Sequence, residues 1–458
     1  MPDQFDIVVI GGGPGGYATA LYGASAGLSV ALVEKEKVGG TCLHRGCIPA
    51  KELLETAHVF RTVSDAATFG VSAGEPTIDW AKAMQRKQQV VDTQWKGLEG
   101  TLKGRKITIV PGTGVFKGDG VVEVSDGTTL QGANVVLASG SVPRTIPGFE
   151  VDGRFVLTSD EFLSMTELPA TVAVIGGGAI GCEFASTLAD VGVKVTVLEG
   201  LPKILPGLDA DVANVVSRSF KKRGIEVRTG VKITGHQPGS TTTMVQIEGS
   251  DPLEVEKVIV SVGRRPLSDS LGLDGTGVEV DERGFVKVGE TCRTTVPGVW
   301  AVGDLIATPQ LAHVGFAEAI VTVKDILGES PVPVDYGRVP WAIYCQPEVA
   351  FAGHSEASAK EAGHEVLVAK HSFKANARAW IVNETDGLVK VIADATTRQI
   401  LGVHMVGPWV TEQLGQGYLA VNWEATIEEV AAFIQPHPSL SELFGETVLS
   451  MTGRSLHA

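Results

Sequence analysis

The chain carries the same folding unit twice. Ile7-Val8-Val9-Ile10 leads into Gly11-Gly12-Gly13-Pro14-Gly15-Gly16, and Val172-Ala173-Val174-Ile175 leads into Gly176-Gly177-Gly178-Ala179-Ile180-Gly181, at an offset of 165 residues. Gly27 aligns with Gly192, Val30 with Val195 and Glu34 with Glu199. Each copy reads as strand, glycine turn, helix, glycine, second strand and terminal acid. In such a unit the first glycine makes a tight turn, the second lets the backbone approach a pyrophosphate, and the third lets helix and strand pack closely. The helix N-terminus adds oriented N–H groups and positive partial charge. The acid, 23 residues after the first glycine in both copies, accepts hydrogen bonds from a ribose diol. Gly11, Gly13, Gly16 and Glu34 are therefore expected to hold one dinucleotide, and Gly176, Gly178, Gly181 and Glu199 a second. Two glycine turns in unrelated α/β units would not share the strand, the spacing and the acid.

Almost directly after the first unit comes Gly39-Gly40-Thr41-Cys42-Leu43-His44-Arg45-Gly46-Cys47-Ile48-Pro49-Ala50-Lys51. A cysteine pair this close can close as a disulfide, open as a dithiol and pass two electrons per cycle. A structural disulfide is disfavoured in a chain with five cysteines and no basic or apolar leader in its opening Met-Pro-Asp-Gln-Phe-Asp. A metal site would want a second close pair, whereas Cys182, Cys292 and Cys345 are isolated and read as small buried hydrophobes. The net charge of −15 argues against a nucleic-acid partner. No apolar run approaches the ~20 residues that span a bilayer. A cytoplasmic enzyme without a metal is the expectation.

Two dinucleotide units flanking a redox cysteine pair resemble the pyridine nucleotide–disulfide oxidoreductases, most closely their dihydrolipoamide dehydrogenase branch. The resemblance spans nearly the whole chain, including Ala375-Asn376-Ala377-Arg378 and Glu384-Thr385-Asp386-Gly387. It departs at Leu43-His44-Arg45-Gly46, where many members carry Leu-Asn-Val-Gly, and at Ala319, where glycine is common. Neither position supplies reacting atoms.

The resemblance implies FAD in the first unit and NAD in the second. Glu199 would repel a 2′-phosphate, and the stretch after it lacks an arginine cluster, which favours NAD over NADP. It further implies that Gly40, Thr41, Ser139, Gly140, Asp304, Ala312 and Gly263 line the cofactors, with Asp304 on a ribityl hydroxyl and His313 on a helix near FAD. Lys51 would lie one turn into a helix begun by Cys47 and pair with Glu183 beside the flavin. Glu183 alone reads as a first-turn acid favoured by the helix dipole. In Gln435-Pro436-His437-Pro438-Ser439-Leu440-Ser441-Glu442, His437 would be the general acid/base and Glu442 its orienting acid, acting on the cysteines of a second subunit. The bond from His437 to Pro438 is expected to be cis.

The fold expected is α/β: two Rossmann-like dinucleotide-binding domains (1–144 with the cysteine pair, 145–266), a central segment returning to FAD (267–333), and a C-terminal α+β dimerisation domain (334–458). The implied activity is oxidation of protein-bound dihydrolipoamide with reduction of NAD, in a homodimer served by lipoyl-bearing acyltransferase or carrier proteins. Two other readings are a disulfide reductase of glutathione or mycothione type and a mainly structural docking subunit of a 2-oxoacid dehydrogenase complex. Glu199 opposes the first, since such reductases usually use NADPH. The intact cysteines and His437 oppose the second. The tail lacks the cysteine pair that mercuric reductases carry.

Overall fold

A computed structural model describes residues 3–457; Met1, Pro2 and Ala458, which bear on the two chain ends, lie outside the described residues. The first sheet sets Thr108–Pro111, Val30–Glu34, Asp3–Ile10 and Thr129–Leu137 side by side in parallel. Val121–Val124 and Gly114–Gly118 extend it antiparallel. The second sheet is all parallel: Glu226–Thr229, Lys194–Glu199, Thr171–Ile175, Lys257–Val260 and Val156–Leu157. Helices cover one face of the second sheet, and the antiparallel strands Ile233–Pro238, Thr243–Ile247 and Leu253–Val255 cover the other, where Val245 and Ile247 meet Ala173 and Val258. Ile7, Val8, Val9, Val172, Val174 and Val197 are accordingly buried, which is why these strands read as unbroken apolar runs.

Val299–Ala301 pairs in parallel with Thr129–Leu137, so the chain rejoins the first sheet after building the second. Thr129–Leu137 is nine residues long because its N-terminal part also pairs with the antiparallel extension. Ser141–Pro143 and Arg264–Pro266 form a two-stranded antiparallel crossing on the paths into and back from the second sheet. The C-terminal sheet is antiparallel, ordered Trp341–Ile343, Glu348–Gly353, Ile400–Gly407, Leu388–Asp394 and Val366–Ser372. Helices Val410–Asn422 and Glu442–Ser450 pack on it through Leu414, Leu443, Phe444 and Val448. No described helix is long and apolar enough to cross a membrane.

Candidate active site

The sequence repeat recurs in detail in three dimensions. Gly11 and Gly176 have φ of +106° and +105°, a region that side chains avoid. A Cβ on Gly16 would lie 1.8 Å from the Gly11 oxygen, and one on Gly181 would lie 1.9 Å from the Gly176 oxygen. The two acids are held alike. Gly12 N–H donates to Glu34 Oε2 at 2.7 Å and Gly177 N–H to Glu199 Oε2 at 2.6 Å. Glu36 N–H donates to Glu34 Oε1 at 2.9 Å and Leu201 N–H to Glu199 Oε1 at 2.7 Å. Each carboxylate oxygen has a second lone pair, so both acids retain capacity for ribose hydroxyls.

Cys42 and Cys47 form a disulfide with their Cα atoms 4.6 Å apart. Both cysteines sit on helices, and the helix expected to begin at Cys47 does so. Cys42 lies in the short helix Gly40–Arg45 and Cys47 opens the helix Cys47–Ser64, with Gly46 as the break. The motif is anchored to the first fingerprint, because Gly39 N–H donates to Gly12 O at 2.7 Å. Gly40 then abuts Gly13 so closely that a Cβ on Gly40 would come within 2.5 Å of the Gly13 Cα. Thr41 follows in the same short helix. His44 contacts Val38 O through Nε2 at 2.9 Å.

Lys51 is one turn into the helix opened by Cys47, and its Nζ lies 2.9 Å from both oxygens of Glu183. Glu183 is not a first-turn acid: it is the fifth residue of the helix Ala179–Asp190, beyond the reach of the terminal N–H groups. Its buried carboxylate is held by Lys51 and by Tyr344 N–H, which donates to Oε1 at 2.9 Å. Lys51 Nζ also sits 4.9 Å above the Tyr344 ring. Tyr344 was not legible in the sequence.

Asp304 lies in the turn Gly303–Leu305 that ends the returning strand. Ser141 Oγ donates to its Oδ2 at 2.5 Å, and Arg264 Nε donates to Ser141 Oγ at 2.7 Å while lying 3.8 Å from the same Oδ2. Burial pulls the Arg264 pKa down, and Asp304 and Asp160 oppose the shift. Ser139 Oγ donates to Leu267 O and Leu267 N–H donates to Gly140 O, so Ser139 and Gly140 belong to the same crossing as Gly263, whose carbonyl accepts from Arg144 N–H. Ala312 begins the helix Ala312–Ile326, on which His313 contacts Pro340 O through Nε2. The same helix carries a group the sequence reading missed. Glu318 is fully buried and accepts from Gly303 N–H at 2.6 Å, Thr308 Oγ at 2.8 Å and Tyr336 OH at 3.1 Å. Burial pushes its pKa up to about 7 against the pull of those three donors.

At the C-terminal end, His437 Nδ1 donates to Glu442 Oε2 at 2.9 Å. Glu442 opens the helix Glu442–Ser450 and is 15% exposed, whereas the His437 side chain is 68% exposed. The peptide from His437 to Pro438 is cis, and so is that from Gln346 to Pro347, which was not anticipated. Nδ1 being engaged leaves Nε2 as the free face of the ring. Cys182, Cys292 and Cys345 are all buried free thiols. Their burial raises each thiol pKa, that of Cys292 to about 12.

A family model described as pyridine nucleotide-disulphide oxidoreductase matches residues 5–319, and the model of that family's dimerisation domain matches residues 339–448. The chain belongs to this family. Its relatives include a dihydrolipoyl dehydrogenase of Bacillus subtilis, 42% identical with 100% of both chains covered. A dihydrolipoyl dehydrogenase of Chlorobaculum tepidum is 40% identical over 97% of this chain and 96% of its own. Among solved structures, the HOCl-induced flavoprotein disulfide reductase RclA of Escherichia coli is 27% identical, with a TM-score of 0.88 over 97% of this chain and 99% of its own. LpdA of Mycobacterium tuberculosis shares the fold at a TM-score of 0.91 and 24% identity, covering 98% of this chain and 99% of its own.

The cofactors of this pyridine nucleotide-disulphide oxidoreductase are FAD and NAD, and two glycines show that the chain keeps room for them. Gly13 and Gly178 cap their helices with ordinary φ of −72° and −75°. A Cβ on Gly13 would meet nothing nearer than 3.9 Å and one on Gly178 nothing within 4 Å. Neither strain nor packing within the chain forbids a side chain at either position. Open space before a helix N-terminus is what the approach of a pyrophosphate requires.

Proposed function

We propose that the chain oxidises protein-bound dihydrolipoamide to lipoamide and reduces NAD, working as a homodimer in the cytoplasm. The observation that carries this reading is the Cys42–Cys47 disulfide hydrogen-bonded, through Gly39, onto the turn of the first fingerprint. Full-length likeness to several dihydrolipoyl dehydrogenases supports the choice of substrate. We assign FAD to Gly11, Gly13, Gly16, Glu34 and Asp304, and NAD to Gly176, Gly178, Gly181 and Glu199. The divisions at 144, 266 and 333 are part of this assignment.

His437 takes a proton from a substrate thiol through Nε2, while Glu442 fixes the tautomer and stabilises the imidazolium. The substrate thiolate attacks Cys42 Sγ, the Cys42–Cys47 bond breaks, and Cys47 leaves as the thiolate. The second substrate thiol, deprotonated in turn, displaces Cys42 and closes lipoamide, leaving the chain with two reduced cysteines. Bound FAD and NAD supply the route by which this dithiol is reoxidised, two electrons leaving as hydride. Lys51, held by Glu183, keeps a positive charge one helical turn from Cys47, where it favours the thiolate.

The exposed His437 supports a site completed by a second copy. Large apolar groups around it point the same way, since Phe433 is 65% and Ile434 99% exposed, and Trp423 is 74% exposed on the same domain. The lipoyl group arrives on an acyltransferase or another carrier protein. Steady-state rates with lipoamide against low-molecular-weight disulfides, each with NADH and NADPH, test the reading. Preference for lipoamide and NADH supports it; preference for a glutathione- or mycothiol-type disulfide with NADPH overturns it.

A further inference from the structure

Asn376 lies on the stretch Ala375-Asn376-Ala377-Arg378, which the proposed chemistry leaves without a role. It is 3% exposed, and every polar atom of its amide is engaged. Oδ1 accepts from Ala379 N–H at 2.9 Å, capping the helix Ala377–Ile381. That bond orients the amide, because only an oxygen can accept from a backbone N–H. Nδ2 then donates to Ser439 O at 2.8 Å and to Glu442 Oε1 at 3.3 Å. Glu442 Oε2 takes the His437 Nδ1 proton, and Ser439 Oγ accepts from Glu442 N–H at 3.2 Å.

We infer that Asn376 is a positioning residue for the acid/base dyad, resting on the dithiol reading given above. One amide group grips the backbone two residues after His437 and the carboxylate oxygen that His437 does not use. Each Glu442 oxygen thus has its own donor, and the carboxylate plane is fixed from both sides. A neutral donor does this without neutralising the charge that His437 requires. The helix cap and the clamp use different atoms of Asn376, so substitution can separate them. Serine and aspartate both cap helices well. Serine is too short to replace the Nδ2 donor. Aspartate has the right shape but is acceptor-only when ionised, and it would face Glu442 with like charge.

The test uses full-length holoprotein with Asn376→Ser and Asn376→Asp. Three quantities are measured: dihydrolipoamide oxidation, NADH oxidation by an artificial acceptor, and FAD content. Both variants should lose at least tenfold in dihydrolipoamide turnover and in the rate at which dithiol reduces the flavin. Reduction by NADH should stay within twofold, with FAD content unchanged. Dithiol turnover within twofold of wild type, or equal losses in both reactions, would overturn the inference. If a variant folds poorly, Asn376→Ser is placed in a Glu442→Gln background. The clamp predicts a smaller further loss there than the same substitution causes beside intact Glu442, and full additivity contradicts it. Wild type inactive on dihydrolipoamide would instead refute the substrate reading. The same variants would then be compared on whichever small disulfide wild type reduces.

Discussion

Lys51 and Glu183 meet across 132 residues of sequence, with Nζ at 2.9 Å from each carboxylate oxygen. The pair joins the helix that begins at Cys47 to the helix of the second fingerprint, and Tyr344 N–H ties the C-terminal domain to the same carboxylate. Glu183→Ala should orphan that N–H and the ammonium. Glu183→Gln keeps an acceptor for Tyr344. The alanine variant should therefore be the less stable of the two by about 1–3 kcal/mol, the cost of an unsatisfied buried polar group. Thermal unfolding of both holoproteins checks this, and equal stability would assign Glu183 no such role.

The two cysteines should differ in what they leave behind. Two-electron reduction of the yellow holoprotein should produce long-wavelength absorbance from a Cys47 thiolate beside oxidised flavin. Cys42→Ser should show the band without reduction, because Cys47 is then a free thiol that can ionise. Cys47→Ser should abolish it. Visible spectra of the three proteins decide, and a band that survives without Cys47 removes the assignment.

Glu199 should make NADH preferred over NADPH by at least tenfold, ~1.4 kcal/mol, by accepting the ribose diol and repelling a 2′-phosphate. Glu199→Gln should narrow the gap mainly by weakening NADH. The check is kcat/KM for both nucleotides.

Glu318 carries a pH dependence of stability. Its folded pKa, about 7, lies above the ordinary glutamate value of 4.5, so the folded state binds more protons than the unfolded state between those values. Stability from this group is highest below pH ~4.5, falls as the pH rises through ~7, and stays lost above, a span on the order of 3 kcal/mol. Glu318→Gln should gain on wild type as the pH rises across that window. Denaturant unfolding at pH 5 and pH 8 checks it, and an unchanged difference between the proteins contradicts it.

The fingerprints, the cysteine pair and the His437–Glu442 pair were legible in the sequence because each is local: a fixed spacing encodes a turn, a helix face or a short reach. Lys51 with Glu183 was reached only through family likeness. Tyr344, the triad Ser141–Arg264–Asp304, Glu318 with Tyr336, and Asn376 were not legible as partners. The first two depend on contacts between residues more than a hundred positions apart, and Asn376 reaches 66 residues to Glu442. Glu318 is closer to Gly303, at 15 residues, but a lone acid among apolar helix residues carries no sign of which N–H it will meet. The short helix at Gly40–Arg45 was also missed, because its glycine-rich start reads as loop.

His437 acting across a homodimer is the central claim, and mixed dimers test it most directly. His437→Gln alone should lower dithiol oxidation by ~10²-fold or more, the usual scale of general-base catalysis, while sparing NADH oxidation by artificial acceptors. A dimer of one His437→Gln chain and one Cys47→Ser chain, isolated by two different tags, combines intact cysteines from one subunit with an intact His437 from the other. Two-fold symmetry makes the sites equivalent, so one complete site should be rebuilt and about half of wild-type lipoamide activity recovered. Mixed dimers that form and bind FAD but recover no activity would contradict the account.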